Sequence, residues 1–174
     1  GPSTKSEFAT RKITNLKTGH IEIRSFLDEA DAKTMYQAYK LHRLPSGWKA
    51  QQNLTPVKFI ESLDDFIRKH YDMNWSVRYN GQPLVIVFAI NAAKFAIMCD
   101  TVWWPKATTR KRLEAAAAIF REISKTKVGL IEAEYRHKKF YETLVNHKIL
   151  RRVGSLYDTL FQNSRTTFFQ TRNT

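Results

Sequence analysis

Two carboxylates and a cluster of cations are the residues of this sequence whose types and spacing suit chemistry. Glu132 and Glu134 alternate in "GLIEAE". In an extended strand residues i and i+2 share a face, so the two acids point the same way. Paired carboxylates, one with a raised pKa, suit a general base for a substrate amine. A solvated strand end would show the same spacing. The second set lies in "WPKATTRKRLEAAAAIFREI". Thr108 and Thr109 are good N-caps for the helix that follows, and Lys106 and Arg110 flank that start. Free amides and the positive end of the helix dipole attract anions there.

Around these runs a strongly basic chain. Its 174 residues hold 29 Lys and Arg against 16 Asp and Glu, a formal net charge of +13. Lys106, Arg110, Lys111, Arg112, Arg121, Lys125 and Lys127 form one cluster. Arg136, Lys138, Lys139, Lys148, Arg151 and Arg152 form the next. Such charge attracts nucleic acid, phosphate-bearing ligands or acidic protein surfaces. With Trp48, Trp103 and Trp104 near loop and strand ends, nonspecific nucleic-acid contact by phosphate pairing and base stacking is one expectation. A solvated basic face is the other. No recognised nucleic-acid motif occurs.

Other chemistries are disfavoured. His137 and His147 belong to no set with metal-ligand spacing, so no metal is expected. Neither a nucleophile elbow nor a phosphate-binding Walker loop occurs. Cys99 is the only cysteine. Set in "FAIMCD", it reads as a small core residue, and a reducing compartment is the simplest setting. No signal peptide is read, and no apolar run approaches the roughly 20 residues of a membrane helix, so neither secretion nor a membrane partner is expected.

The elements that must hold these residues follow from periodicity. Gly1-Pro2-Ser3 reads as a protease-cleavage scar, and residues 1–18 as that scar with a basic arm. Residues 19–174 read as one domain. "HIEIRSF" alternates as a strand. A helix follows, with Asp28 as N-cap and Ala32, Met35, Tyr36 and Tyr39 on its apolar face. A second helix starts at Thr55-Pro56, and Phe59, Ile60, Leu63, Phe66 and Ile67 form its stripe. Asn80-Gly81 signals a hairpin. Strands are expected at about 74–79, 83–91 and 94–103, the second central because it is almost wholly apolar. The basic helix comes next, its four alanines permitting close approach to a sheet. "KVGLIEAE" is a buried strand, "YRHKKFYETLVNHKI" a helix, and "LRRVGSLYDTLF" and "TTFFQTR" a closing pair of strands. The fold class is α/β: a single mixed, mainly antiparallel sheet with helices on both faces.

This order, over about residues 20 to 172, resembles the GNAT superfamily of acetyltransferases. "IEIRSFLDEADAKTMYQAY" is similar to the opening strand and helix of that family. "FYETL" is similar to its fourth-helix signature. "NGQPL" and "TVWWPKATTRKRLEAAAAIFREI" further resemble small GNAT-like proteins of tailed phages, including those carried inside virions. The resemblance implies acetyl-CoA as cofactor. It would be held by Val102, Trp103, Trp104, Lys106, Thr108, Thr109 and Arg110. Tyr141 would protonate the leaving thiolate, a role needing its phenol about 3 Å from the sulfur. The alternative is a buried aromatic beside Phe140.

The sequence departs from the family at one point of physical consequence. The family's strand-to-helix turn is Gly-rich, so that backbone amides can approach a pyrophosphate. Here no glycine stands between Gly81 and Gly129, and Lys111 and Leu113 fall at the glycine positions. In the fourth-helix pattern, Glu134 and His137 replace an Asn and an Ala, and only Tyr141 keeps its identity. Two expectations follow. One is a catalytically silent, phage-encoded GNAT-fold protein, a virion or host-takeover component in the host cytoplasm or virion interior, with an unidentified protein partner. The other is an acetyl-CoA-dependent N-acetyltransferase acting on an amine of a protein or small molecule.

Overall fold

A computed structural model describes residues 12–16, 19–45, 47–48, 51–134, 137–157 and 165–172. The elements run β1 (Lys12–Leu16), β2 (Gly19–Arg24), α1 (Glu29–Lys40), α2 (Pro56–His70), β3 (Met73–Tyr79), β4 (Gln82–Ala93), β5 (Ala96–Trp103), α3 (Thr109–Ser124), β6 (Val128–Glu134), α4 (Lys138–Asn146), β7 (Leu150–Tyr157) and β8 (Arg165–Thr171). The strand order is β1-β2-β3-β4-β5-β6-β8-β7. Among the pairings described, only β5 with β6 is parallel. The expected mixed, mainly antiparallel class is therefore what forms. Within the residues read as an arm, Lys12–Leu16 pairs with β2 as an added strand.

The chain divides into two compact units. The first comprises residues 1–90 and 100–116, the second residues 91–99 and 117–174. In the first unit, Met35, Ala38, Phe59, Leu63, Ile86, Phe88 and Val102 form a core, with Tyr36, Tyr39, Trp48 and Tyr71 packed against it. The apolar stripes of α1 and α2 explain why these two helices meet there. The β3–β4 turn has Asn80 at φ 48° and Gly81 at φ 85°. Two successive left-handed residues match the twist of a two-residue hairpin, and Asn-Gly adopts them most readily. One residue later the register shifts, with Arg78 facing Pro83 and Val77 facing Val85. Pro83 has no N–H to give the ladder, which suits a bulge. The displaced Leu84 carbonyl accepts from Trp104 N–H at 2.9 Å.

In the second unit β6 pairs with Ala96–Cys99 of β5 on one side and with β8 on the other. The β5–β6 ladder stops at Cys99 and Ile131, although β5 continues to Trp103 and β6 to Glu134. Ala117, Ala118, Ile119, Phe120 and Ile123 of α3 are buried, as the alanine run predicts. Close packing extends to Gly129. A Cβ there would lie 3.1 Å from Thr171 Cγ2 and 3.3 Å from Ile123 Cγ2. Cys99 is buried, as read from its apolar setting. Helix α4 begins at Lys138, later than the sequence suggests, and His137 at its N-cap makes no side-chain cap bond.

Candidate functional site

The seven residues expected to hold a cofactor lie on one stretch of the first unit, where β5 turns into α3. The turn is built locally. Ala107 N–H donates to Trp104 O at 3.0 Å, and Arg112 N–H to Thr108 O at 3.0 Å. Thr108 is the cap, its Oγ1 accepting from Lys111 N–H at 3.3 Å. The amides of Thr109 and Arg110 donate to no atom among the described residues. These are first-turn donors that a helix cannot satisfy internally.

The charges around this turn are all of one sign at its mouth. No acid occupies the first turn of α3. Lys106, Thr108, Thr109 and Arg110 are exposed. Arg110 reaches Glu114 only at 3.6 Å and remains 73% exposed. Lys111 lies with its Nζ 4.6 Å from the centre of the Tyr79 ring. Arg112 turns back, donating through Nη2 to Trp104 O at 3.3 Å and Pro105 O at 3.2 Å. Burial, with Arg43 nearby, lowers its pKa. Its Nε is buried without a hydrogen-bond partner among the described residues. Cations at a positive helix end repel it and one another, an arrangement that an anion would relieve.

Val102 differs from its neighbours. It is fully buried in the first unit's core, so its side chain packs and only its backbone remains to meet a ligand. Trp103 and Trp104 are half-buried. Trp48, read as a base-stacking candidate, is committed elsewhere. Its ring packs against Phe66 at 5.0 Å, Phe88 at 5.2 Å and Tyr71 at 5.9 Å, and its N–H donates to Tyr71 Oη at 2.5 Å.

The three residues expected to move protons lie in the second unit. Glu132 is exposed on β6, opposite Phe168 in the register, and Glu134 stands opposite Thr166. The side chain of Glu134 lies outside the described residues, as does Arg136. Tyr141 is only 5% exposed. Its ring stacks on Phe169 at 5.5 Å and 25°, and meets Phe140 edge-on at 5.3 Å. Among the described residues, no three His, Cys, Asp or Glu side chains group as a metal site requires.

Two polar networks in the first unit escaped the sequence. Arg78 on β3 is buried and pairs through Nη2 with Asp31 Oδ2 and Asp28 Oδ1, each at 2.6 Å. Ser76 Oγ donates to Asp31 Oδ1 at 2.5 Å. The hydrogen bond from Arg78 is the main cause that holds Asp28 down at about 2, whereas burial raises the pKa of Asp31. In the second network, Tyr71 Oη donates to Asp100 Oδ2 at 2.6 Å. Burial, then this bond, raises the tyrosine pKa, which keeps the phenol a donor. An arginine inside the strand "WSVRY" and a lone aspartate inside "IMCDTVW" were the available signals, since charges in half-buried strands need partners.

No protein-family model matches the sequence, and no curated protein matches it. Solved structures do resemble it. An uncharacterised protein from Bacillus halodurans superposes with TM-score 0.68 at 12% identity, covering 96% of this chain and 92% of that one. A spermidine N-acetyltransferase from Vibrio cholerae, solved with CoA and spermine, gives TM-score 0.59 at 14% identity over 86% and 94%. An acetyltransferase of the GNAT family from Streptococcus pneumoniae gives 0.52 at 14% identity over 87% and 98%. At such identities the likeness speaks for architecture alone, and the chain has the fold of the GNAT acetyltransferases.

Proposed function

We propose that this protein binds acetyl-CoA through its diphosphate at the first turn of α3 and passes the acetyl group to an amine. The observation that carries the proposal is the α3 turn itself: a threonine-capped start, amides at Thr109 and Arg110 that meet no acceptor among the described residues, no acid in the first turn, and exposed cations at positions 106 and 110. These residues fit a diphosphate by charge and by donors. They do so without the glycines of the related fold, so Lys106 and Arg110 side chains supply contact that backbone supplies elsewhere. Bound acetyl-CoA supplies an activated thioester. In this reading a neutral substrate amine attacks the thioester carbonyl, Glu132 or Glu134 takes the proton the new amide nitrogen loses, and the carbon–sulfur bond breaks. Tyr141 gives a proton to the departing sulfur.

Calorimetric titration of acetyl-CoA at moderate salt, with ADP as a charge-matched control, tests the proposal. Salt is needed because a +13 chain attracts any polyanion weakly. Micromolar binding of acetyl-CoA, at least tenfold tighter than that of ADP, which shares the diphosphate but lacks the pantetheine arm, is expected. Equal weak binding of both, fading with salt, would remove the cofactor from the proposal.

A second reading has its own observations. Lys111 and Leu113 stand where a glycine turn would, and Tyr141 is packed as a core aromatic. Both suit a catalytically silent protein that keeps the fold as a scaffold, such as a phage virion or host-takeover component. Retained acetyl-CoA binding without turnover on any amine would favour it.

A further inference from the structure

The arginines of this protein fall into two kinds. Arg24, Arg68, Arg78, Arg110 and Arg152 each pair with a carboxylate. Arg43, Arg112, Arg121, Arg151 and Arg172 pair with none among the described residues, and of these Arg151 and Arg172 lie together on β7 and at the end of β8. The contrast is sharpest in β7, where Arg152 bonds Glu142 of α4 while its neighbour Arg151 points to the other face.

That other face holds a small constellation. Arg151 stands directly opposite Gln170 on β8. Arg172 follows Gln170 by two residues, and its N–H donates to Ile149 O at 3.3 Å, extending the pairing by one step. Arg151, Gln170 and Arg172 therefore share one side of the β7–β8 pair, with directly opposed side chains about 5 Å apart at Cβ and diagonal ones about 7–8 Å apart. Leu150 and Thr171 take the opposite side and are buried. The Thr171 hydroxyl is fixed there by Gly129 N–H at 2.9 Å. Arg151, Gln170 and Arg172 line a shallow, open groove at the surface, which the buried Thr171 borders.

We propose that this groove is an oxyanion site that takes a phosphate group, held between the guanidiniums of Arg151 and Arg172 with the Gln170 amide as a third donor. Two forked cations at this separation repel each other when empty. A tetrahedral dianion or a phosphodiester between them accepts from both and removes the repulsion. The nearest acid by register is Glu132, two residues beyond Leu130, the β6 partner of Gln170. The groove belongs to β7 and β8, not to the α3 turn, so it stands whether or not acetyl-CoA binds.

The phosphate can belong to a small soluble ligand or to a nucleic-acid strand, and two probes separate these. Inorganic phosphate is titrated while the Arg Nε–H resonances of the full chain are followed. A dT12 oligonucleotide is titrated by anisotropy at 0.15 M salt. Both are repeated in Lys106→Gln/Arg110→Gln protein, which removes any contribution of the α3 turn. Arg151→Gln/Arg172→Gln is expected to weaken at least one probe tenfold or more. Arg151→Lys/Arg172→Lys, which keeps charge but loses the fork, is expected to recover part of that loss. Arg43→Gln/Arg121→Gln removes the same charge from other exposed positions and is expected to change affinity less than threefold. A loss for phosphate alone identifies a small ligand, and a loss for dT12 with competition by phosphate identifies a strand. Equal losses in Arg151→Gln/Arg172→Gln and Arg43→Gln/Arg121→Gln would reduce the effect to bulk charge, and no loss in Arg151→Gln/Arg172→Gln would leave the groove without a phosphate; either overturns the proposal.

Discussion

The first unit contains two helix starts that solve one electrostatic problem in opposite ways. At α1, Asp28 accepts from Ala30 N–H at 2.9 Å, Asp31 accepts from Asp28 N–H at 2.8 Å, and Glu29 adds a further acid to the first turn. Those carboxylates satisfy the free amides, complement the dipole, and are themselves neutralised by Arg78 of β3. At α3 a threonine caps, no acid follows, and cations surround the turn. One end is closed by its own side chains and fastens a helix to the sheet. At the other, the amides of Thr109 and Arg110 meet no acceptor among the described residues, and Arg110 pairs with Glu114 at 3.6 Å. The difference teaches how to tell a charge cluster that is internally satisfied from one that is open to a partner: by whether the partners are already present.

The largest effect that could break this comparison is at α1. Arg78→Ala leaves Asp31 buried and unpaired, and is expected to cost about 3–5 kcal/mol of unfolding free energy in urea denaturation. A loss under about 1 kcal/mol would mean the cluster is not a fastening. At α3 the signs should reverse. Lys106→Gln/Arg110→Gln should leave stability within about 0.5 kcal/mol, as exposed substitutions do, while weakening acetyl-CoA at least tenfold in calorimetry. Unchanged affinity would return that turn to a solvated basic face.

Next in size is a pH effect. Asp28 titrates lower in the fold than in the unfolded chain, so its charged form contributes stability above about pH 4, lost as pH falls through about 2. Asp28→Asn keeps a capping side chain and removes the charge. It should cost about 1 kcal/mol at pH 7, with the difference shrinking between pH 4 and pH 2. Asp31 works the other way, because burial penalises its charged form and protonation relieves that cost. A difference that stays constant down to pH 2 would exclude the Asp28 pair as its source.

The smallest effect would convert one helix start into the other. Thr109→Glu places an acid in α3's first turn, and is expected to raise stability by about 0.3–1 kcal/mol while weakening acetyl-CoA. If stability falls instead, the cations there are not in excess. In the second unit, Tyr141→Phe keeps the ring that stacks on Phe169, so the fold should be retained. If the phenol is the acid, turnover on an accepted amine should fall at least tenfold.

What could be read without coordinates was whatever depends on neighbours in the chain. The caps at Asp28, Thr55 and Thr108, the Asn80-Gly81 turn, the apolar run that makes β4 central and the alanine face of α3 all follow from spacing and turn chemistry a few residues apart. The capped, basic helix start at Lys106–Arg110, expected to hold a cofactor, was legible as a helix start for the same reason. Pairs distant in sequence were not legible. Asp31 finds Arg78 47 residues away, and Tyr71 finds Asp100 29 residues away. The commitment of Trp48 to an aromatic cluster, the burial of Tyr141 against Phe169, and the meeting of Arg151 with Gln170 and Arg172 depend on strand register and helix docking. Those are set by the sum of many burial contacts, and no local pattern carries that sum.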